Sequence, residues 1–449
     1  MTAGPIMRNV LLFALPIIAG NILQYLYTTV DTLVIGRFCG TTSLAAVGTS
    51  SQPVEVLLCI FLGVGTGVSI RSSQHTGAGD IRRMRETVRT SVSFVYLSGI
   101  PIGIIGYFLT PAILKLMGVP ADVWNAALIY TRIVFLGALG NIGYNMNAGL
   151  LRGLGDSKAS LWFLLISCIV NVLLDLVLVA GLRMDVSGAA AATAVAMFLS
   201  WFFSIAYIRR RYPELQCTWL PRGVVRAELR HILMIGLPIG LNSSLFSFGH
   251  MAMQTMVNAQ GALFMAGNSI AGRVNGLANM AISAMSSAAT TFSGQNYGAR
   301  KVDRLRSGQV LIPLAAGLIT LTFDVLCILI RMPILRQFSS DETVLFYASR
   351  FVVVQLSGQW MFAVYNSISN FINGLGRVRY TVLVSLLMLW AVRIPVAWLI
   401  ARFWDGTWIM LSFPASFAFG MFSMIGYYIF SKTWKELLNL APPRVDNMK

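Results

Sequence analysis

Four polar residues inside long apolar stretches of the chain carry the groups best suited to binding a small cation. Asp31, Asn171, Asp175 and Thr193 supply two carboxylates, an amide oxygen and a hydroxyl. Such hard oxygen ligands suit an ion such as Na⁺, and two neighbouring carboxylates can instead share protons. An ionisable side chain at membrane depth costs at least ~2.5 kcal/mol and by default marks an ion or substrate path. These residues are therefore candidates for cation binding or proton coupling.

The elements that must position these residues are membrane-spanning helices. Of the 449 residues, 56% are hydrophobic and 11% charged, and the mean hydropathy is +0.71. A spanning helix needs roughly 20 apolar residues, and the chain divides into twelve such stretches without the alternation of a membrane β-barrel. We predict an all-α integral membrane protein with helices at 9–36, 43–72, 88–112, 123–151, 159–181, 187–208, 229–258, 262–295, 307–330, 343–373, 379–402 and 408–431.

The 34 Lys and Arg residues exceed the 17 Asp and Glu residues, and the placement of these basic residues indicates the membrane topology. Twenty-four of the bases fall at the termini and in the even-numbered connections, six in the odd-numbered connections and four within spans. Bases concentrate on the cytoplasmic side of membrane proteins. We therefore expect both termini in the cytoplasm, a multi-pass protein of the plasma (inner) membrane, and no nucleic-acid partner.

The two halves of the sequence repeat each other. When the second half is laid over the first, Leu15-Pro16-Ile17 aligns with Leu237-Pro238-Ile239, and Gly153-Leu154-Gly155 aligns with Gly374-Leu375-Gly376. Each repeat holds six helices, an even number, so the copies are parallel, as in transporters whose two lobes surround a central cavity. The predicted segments are an N-lobe at 1–208, a cytoplasmic linker at 209–228, a C-lobe at 229–431 and a cytoplasmic tail at 432–449.

Helical rise places all four polar candidates in the outer half of the N-lobe. At about 1.5 Å per residue, Asp31 lies ~33 Å and Asp175 ~24 Å from the cytoplasmic ends of their helices, in the outer half of the N-lobe. The matching positions of the C-lobe carry apolar residues, so the fold itself does not require the polar set. Interhelical hydrogen bonding is the alternative interpretation. The matching C-lobe residues are Met253, Val392, Val396 and Pro414.

Other polar positions give weaker signals. Gln24 and Tyr27 share a helical face with Asp31, so they line a substrate cavity or form a packed polar seam. Glu55, near mid-membrane, attracts an organic cation or pairs with an intramembrane arginine. Pro16 removes a backbone hydrogen bond and is a hinge candidate, although membrane helices often contain proline.

Two further groups of residues are not expected to belong to a site. Asp324 lies near the outer end of its predicted helix, seven residues before Arg331, and we predict an interfacial charge there. The five cysteines are scattered and fit neither a disulfide framework nor a CxxC metal site, so they are interpreted as small core residues.

The first apolar stretch runs too long for a signal peptide and is expected to remain as a helix.

These features together resemble the multidrug and toxic compound extrusion (MATE) family over essentially the whole chain. The resemblance rests on the two six-helix repeats, Pro16 fifteen residues before Asp31, the Gln74 to Ala78 and Gln295-Asn296-Tyr297-Gly298-Ala299 loops, Gly153-Leu154-Gly155, and Asn171-x3-Asp175 with Thr193. The DinF-type branch is the most similar, and it implies an N-lobe cation site at Asp31, Asn171, Asp175 and Thr193. The branch with essential acids on helices 7 and 10 matches poorly, because 231–260 and 343–374 contain no Asp or Glu.

The resemblance implies a secondary active multidrug efflux transporter that exchanges organic, often cationic, drugs for H⁺ or Na⁺ by alternating access. It implies no cofactor, and we expect a monomer whose partners are the lipid bilayer and small organic substrates. A flippase for a lipid-linked saccharide of the same superfamily is the alternative, because four intramembrane arginines suit a lipid phosphate. The sequence lacks GxGD, DDxxD and HExxH motifs, which disfavours an enzyme, and two six-helix repeats suit alternating access better than an open channel.

Overall fold

Twelve long helices make up the described part of the chain, in agreement with the prediction. The computed structural model describes residues 1–431 and Trp434, without the side chains at 41–42, 44, 51–53 and 55–57. The predicted tail at 432–449 therefore lies outside the described residues apart from Trp434. The helices are α1 Ile6–Phe38, α2 Gly40–Ala78, α3 Ile81–Leu116, α4 Ala121–Leu136 with Ala138–Leu154, α5 Ser157–Gly181, α6 Asp185–Arg211, α7 Arg226–Asn258, α8 Ala262–Gly298, α9 Val302–Leu329, α10 Glu342–Gly374, α11 Arg379–Phe403 and α12 Gly406–Phe430.

Most of these helices are long and apolar enough to cross a membrane. Within the described residues, eight meet both conditions, and the two parts of α4, bent by 46°, make a ninth span. The other three, α2, α8 and α10, are more polar, but their 39, 37 and 33 residues exceed the roughly 20 that a span requires. The chain is accordingly a multi-pass, all-α membrane protein.

The helices group into two compact units. One comprises Met1–Leu15 together with the chain from Ser244 onward, and the other comprises Pro16–Ser243. These divisions fall inside α1, at the hinge candidate Pro16, and inside α7, whereas the predicted lobes were bounded by the linker at 209–228. The lobes at 1–208 and 229–431 stay a prediction about the sequence repeat, since the compact units divide the chain elsewhere.

Close helix crossings hold the unit Pro16–Ser243 together. A Cβ atom on Gly149 of α4 would overlap the carbonyl oxygen of Gly65 in α2, and a Cβ on Gly63 of α2 would overlap the backbone of Gly240 in α7. Side chains at these glycines would force the helix axes apart. The second half of α4 and the first half of α7 are therefore fixed against α2.

A buried ion pair ties the beginning of α7 to α2 and α3. The Glu228 carboxylate accepts two hydrogen bonds from the Arg71 guanidinium, at 3.0 and 2.8 Å, and one from the Thr87 hydroxyl at 2.8 Å. His75 Nε2 lies 3.4 Å from the same carboxylate. Because Glu228 is 5% exposed, loss of one charged partner would remove the main compensation for the desolvation of the other.

The connection between α6 and α7 packs onto the core of the same unit. Cys217 is buried in a cluster that includes Val92, Trp201 and Ile205, and the Tyr96 hydroxyl donates to the Trp219 carbonyl oxygen at 2.8 Å. Burial raises the pKa of the Cys217 thiol to about 11, so the thiol stays protonated near neutral pH. Cys217 thus packs as a small apolar residue, as the sequence predicted.

Candidate functional site

Three helices of the unit Pro16–Ser243 meet at a chain of polar side chains. The Asn171 side-chain amide of α5 donates to the Thr193 hydroxyl of α6 at 3.2 Å, and the Tyr27 hydroxyl of α1 lies 3.3 Å from the same oxygen. The structure therefore brings together Asn171 and Thr193 and adds Tyr27, which the sequence placed only in a nearby cavity.

The two predicted carboxylates lie beside this chain. Asp175 is fully buried, Asp31 is half-buried, and the two are electrostatic neighbours. Both carboxylate oxygens of Asp175, Oδ1 of Asp31 and Oδ1 of Asn171 accept no hydrogen bond from a donor group of the described residues, and the two carboxylates are close enough to share a proton. Leaving such an oxygen buried and unpaired costs about 1–3 kcal/mol. Four oxygens from two helices therefore form a pocket that a proton or a cation would stabilise.

A wider turn of helix follows the buried carboxylate. Directly after Asp175, α5 continues as π-helix from Leu176 to Gly181. Such turns are rare and often lie at functional sites.

Tyr130 of α4 is a member of the site that the sequence reasoning missed. It is an electrostatic neighbour of both Asp31 and Asp175, and it also lines the cavity described below. The comparison of the two repeats contained a signal for it, because the matching residue of the second repeat is Phe351, which lacks the hydroxyl. Tyr130 therefore places a hydroxyl between the acidic pocket and the cavity.

A cavity of about 450 Å³ lies in the same unit, which is large enough for a drug-sized molecule. Gln24 and Pro16 line it, whereas the side chain of Glu55 lies outside the described residues. The lining residues are Pro16, Ile17, Gly20, Asn21, Gln24, Val54, Leu58, Cys59, Leu62, Tyr130, Val134, Asn141, Tyr144, Asn145, Ala148, Arg152, Ser157, Ser160, Leu161, Leu164 and Met197.

Helical periodicity connects the cavity to the acidic pocket. On α1, the lining residues Gly20 and Gln24 are followed on the same face by Tyr27 and Asp31, in steps of three or four residues. On α5, the lining residues Ser157, Ser160 and Leu164 share a face with Asn171 and Asp175 in the same way. A change in the position of either helix would therefore move the cavity wall and the carboxylate together.

At the position that matches Asp31 the other unit is apolar, although it buries the Arg393 guanidinium beside Val392, the match of Asn171. Met253, which corresponds to Asp31, is buried in a cluster with Ala397 and Ile409, packed against Ile394 and Phe413. The contrast seen in the sequence thus persists in the packing.

The prediction for Asp324 was wrong. It was expected to be an interfacial charge, but it is only 1% exposed, and neither of its carboxylate oxygens has a hydrogen-bond partner among the described residues. The buried residues Gly317, Thr320 and Cys327 lie on the same face of α9 at helical spacing. This small-residue stripe lets α9 pack closely, and it turns Asp324 toward the protein interior.

Comparison with known proteins agrees with this architecture. The family model MatE matches the chain twice, at residues 16–177 and 238–399, and the two matches begin at the paired prolines of the sequence repeat, Pro16 and Pro238. The probable multidrug resistance protein YoeA of Bacillus subtilis is 29% identical over 96% of this chain and 94% of its own length. The DNA damage-inducible protein F of Escherichia coli is 24% identical over 76% of this chain and 75% of its own length.

Solved structures share the fold. A crystal structure of a MATE protein in the bent conformation superimposes with a TM-score of 0.87 at 21% identity, covering 97% of this chain and 96% of its own. The Vibrio cholerae MATE transporter VcmN in the bent form has a TM-score of 0.86 at 17% identity, covering 96% and 97%. Because the two family matches together span more than half of the sequence, this chain belongs to the MatE family of multidrug and toxic compound extrusion transporters.

Proposed function

We propose that the protein is a secondary active exporter that exchanges small organic molecules for H⁺ or Na⁺ by alternating access. The observation that carries this proposal is the set of unpaired buried oxygens on Asp31, Asn171 and Asp175, which share helical faces with the cavity lining. We further propose that it acts as a monomer in the plasma (inner) membrane with both termini in the cytoplasm.

The coupling follows from charge. A proton bonded to a carboxylate oxygen, or a Na⁺ ion held by the carboxylates with the Asn171 amide oxygen and the Thr193 hydroxyl, reduces the negative charge of the pocket. Without the ion, the desolvated carboxylates disfavour the arrangement that buries them. Since α1 carries both Asp31 and part of the cavity wall, this change in preference alters the cavity as well.

Helix α1 has a point at which it can bend. Pro16 cannot donate a backbone hydrogen bond inside the helix, and the division between the two compact units falls between Leu15 and Pro16. Bending at this position would move Gln24 and Asp31 together. The ion and the substrate then compete, because each favours a different position of the same helix. Such competition produces exchange, whereas a carrier that bound both together would move both in the same direction.

Transport in proteoliposomes tests the proposal. An imposed gradient of H⁺ or Na⁺ is expected to drive an organic dye in the opposite direction, and Asp175→Asn is expected to abolish that dependence. Asp324→Asn is the matched control, because Asp324 is an equally buried acid with unpaired oxygens in the other unit. Transport that ignores both gradients, transport driven by ATP alone, or an equal loss in both variants would contradict the mechanism.

A flippase for a lipid-linked saccharide is the second candidate, and it is favoured by Arg152 in the cavity lining, because a guanidinium binds phosphate well. Translocation of a fluorescent lipid-linked saccharide across the vesicle membrane, without an ion gradient, would support this function instead.

A further inference from the structure

The described lining of the cavity is rich in neutral polar groups and contains one basic side chain. It carries four amides, from Asn21, Gln24, Asn141 and Asn145, and four hydroxyls. Arg152 is the only charged residue among the described lining side chains. A cavity of this size with a few convergent polar groups can both hold and orient a drug-sized molecule.

Arg152 lies at the end of a polar stripe on α4. Asn141, Asn145, Ala148 and Arg152 follow each other in steps of three or four residues, and all four line the cavity. The stripe is about 16 Å long at 1.5 Å per residue. It presents amides along the wall and a guanidinium at one end.

The backbone on either side of Arg152 is fixed by close packing. A Cβ atom on Gly153 would lie 2.6 Å from the Ser69 carbonyl oxygen of α2, and one on Gly149 would overlap the Gly65 carbonyl. Arg152 itself is half-buried and lies near the Tyr144 hydroxyl. The guanidinium is thus attached to a rigid part of the cavity wall.

The repeat provides a control for this lining as well. In the alignment of the two halves, Asn141 corresponds to Phe362, Arg152 to Asn373 and Gln24 to Phe246. In the other unit, Asn373 Oδ1 accepts a hydrogen bond of 2.6 Å from the Thr381 hydroxyl and acts as a local structural group. The Arg152 guanidinium and the Asn141 and Gln24 amides are therefore particular to the unit Pro16–Ser243.

We propose that the cavity takes an organic anion whose phosphate or carboxylate group binds Arg152. This inference rests on the proposed transport function and gives the substrate a charge opposite to that of the organic cations expected from the sequence. A guanidinium binds an oxyanion through two parallel hydrogen bonds, and the neutral amides of the stripe supply donors and acceptors for the rest of the molecule.

The same geometry separates the bound oxyanion from the coupling acids. Pro16 lines the cavity with Arg152, and Asp31 lies fifteen residues further along α1, or about 22 Å. The Pro16 end of the cavity is thus separated from Asp31 along α1 by more than a Debye length of about 8 Å, beyond which charges are largely screened where solvent reaches them. An anionic substrate is therefore compatible with a carboxylate coupling site in the same unit.

Equilibrium binding to the purified protein in detergent, with no gradient, tests the substrate class separately from transport. The probes are 5-carboxyfluorescein and rhodamine 6G, two xanthene dyes of opposite charge. The wild type is expected to bind the anionic dye more tightly. Arg152→Gln is expected to weaken that binding at least about tenfold. Arg152→Lys is expected to retain part of the affinity, because lysine keeps the positive charge but cannot donate two parallel hydrogen bonds.

Arg132→Gln is the matched control, because Arg132 is an arginine in the first part of α4 that stacks over the Tyr107 ring at 4.6 Å and does not belong to the described cavity lining. It is expected to bind the anionic dye like the wild type. Tighter binding of rhodamine 6G, especially if Glu55→Gln removes it, or unchanged affinity in Arg152→Gln, would overturn the proposal.

Competition by geranyl phosphate and by benzoate identifies the source of the oxyanion. Tighter competition by geranyl phosphate assigns it to a lipid-linked phosphate, and tighter competition by benzoate assigns it to a carboxylate; both results support an oxyanion site. Anion binding that persists in Asp175→Asn, while gradient-driven transport is absent even from the wild type, would contradict the antiport function and leave the substrate class supported.

Discussion

Replacing Asp175 by valine, the residue at the matching position of the second repeat, should stabilise the protein and abolish ion-coupled transport. Asp175→Val copies Val396, the matching residue of the other repeat. Both carboxylate oxygens of Asp175 are buried without a hydrogen-bond partner among the described residues. Removing them relieves about 1–3 kcal/mol for each unpaired oxygen, whereas the bulkier, branched valine costs ~1–3 kcal/mol if the site is overpacked.

The expected net effect is a stabilisation of roughly 1–2 kcal/mol in Na⁺-free buffer. For a unit of about this size, 1 kcal/mol shifts the unfolding temperature by about 2–4 °C, so the expected rise is roughly 2–8 °C. Intrinsic tryptophan fluorescence during heating in detergent measures it. If Na⁺ is the coupling ion, added Na⁺ should raise the unfolding temperature of the wild type and leave that of Asp175→Val unchanged.

Asn171→Val supplies a comparison with a smaller expected effect. It also copies the repeat, through Val392, but along with one unpaired oxygen it removes an amide that donates to Thr193 at 3.2 Å. Loss of that hydrogen bond costs about 1 kcal/mol and offsets the relief from removing Oδ1, so the stability is expected to change less than in Asp175→Val. A drop of more than about 1 kcal/mol in Asp175→Val would mean that the carboxylate has stabilising partners, and the account of an unpaired acidic pocket would be refuted.

Three further predictions follow from the structure. Glu228→Ala is expected to destabilise the protein by about 3–5 kcal/mol, seen as a lower unfolding temperature, because the Arg71 guanidinium loses its buried partner; a small effect would place that ion pair in solvent. Thr193→Val is expected to raise the ion concentration for half-maximal transport about tenfold without loss of expression, and an unchanged value would exclude the hydroxyl from the ion site. A tag inserted at Arg211 should be accessible from the cytoplasm and a cysteine at Arg183 should react from outside; external labelling at 211 would reverse the proposed orientation.

The helices were predictable because each apolar run ends in polar residues or glycine. The predicted span 229–258 lies within Arg226–Asn258, and 262–295 lies within Ala262–Gly298. The approach of Asn171 to Thr193 was also predictable, since helical rise gives depth along the membrane normal from residue counts alone. Depth and periodicity are properties of a single helix, so the sequence carries them directly.

The orientation of a helix about its axis was harder to predict. Asp324 was assigned to the interface from its depth, although the small residues on its face of α9 turn it inward. Arg152 was counted among the bases of a connection, because nothing local to it indicates that the last turn of α4 faces a cavity. Which face is buried depends on the neighbouring helices, and those contacts join residues far apart in the sequence.

Comparison of the two repeats helps to identify which polar residues the fold does not require. Both copies share one fold, so a polar residue that the fold requires should occur in both, as Asn145 and Asn366 do. A polar residue present in one copy alone has to be explained by something other than the shared packing. Asp175, opposite Val396, meets this condition, and so does Tyr130, opposite Phe351.

The residues that pass this comparison lie where the proposed exchange would require them. Those at the far end of α1 and α5 form the acidic pocket, and those nearer Pro16 form the cavity wall with the guanidinium of Arg152. A rigid helix transmits a displacement along its whole length, so the proposed ion binding at Asp31 and the proposed substrate binding beside Gln24 would act on the same body. Antiport then needs no direct contact between the ion and the substrate, and the two ligands can carry either sign of charge.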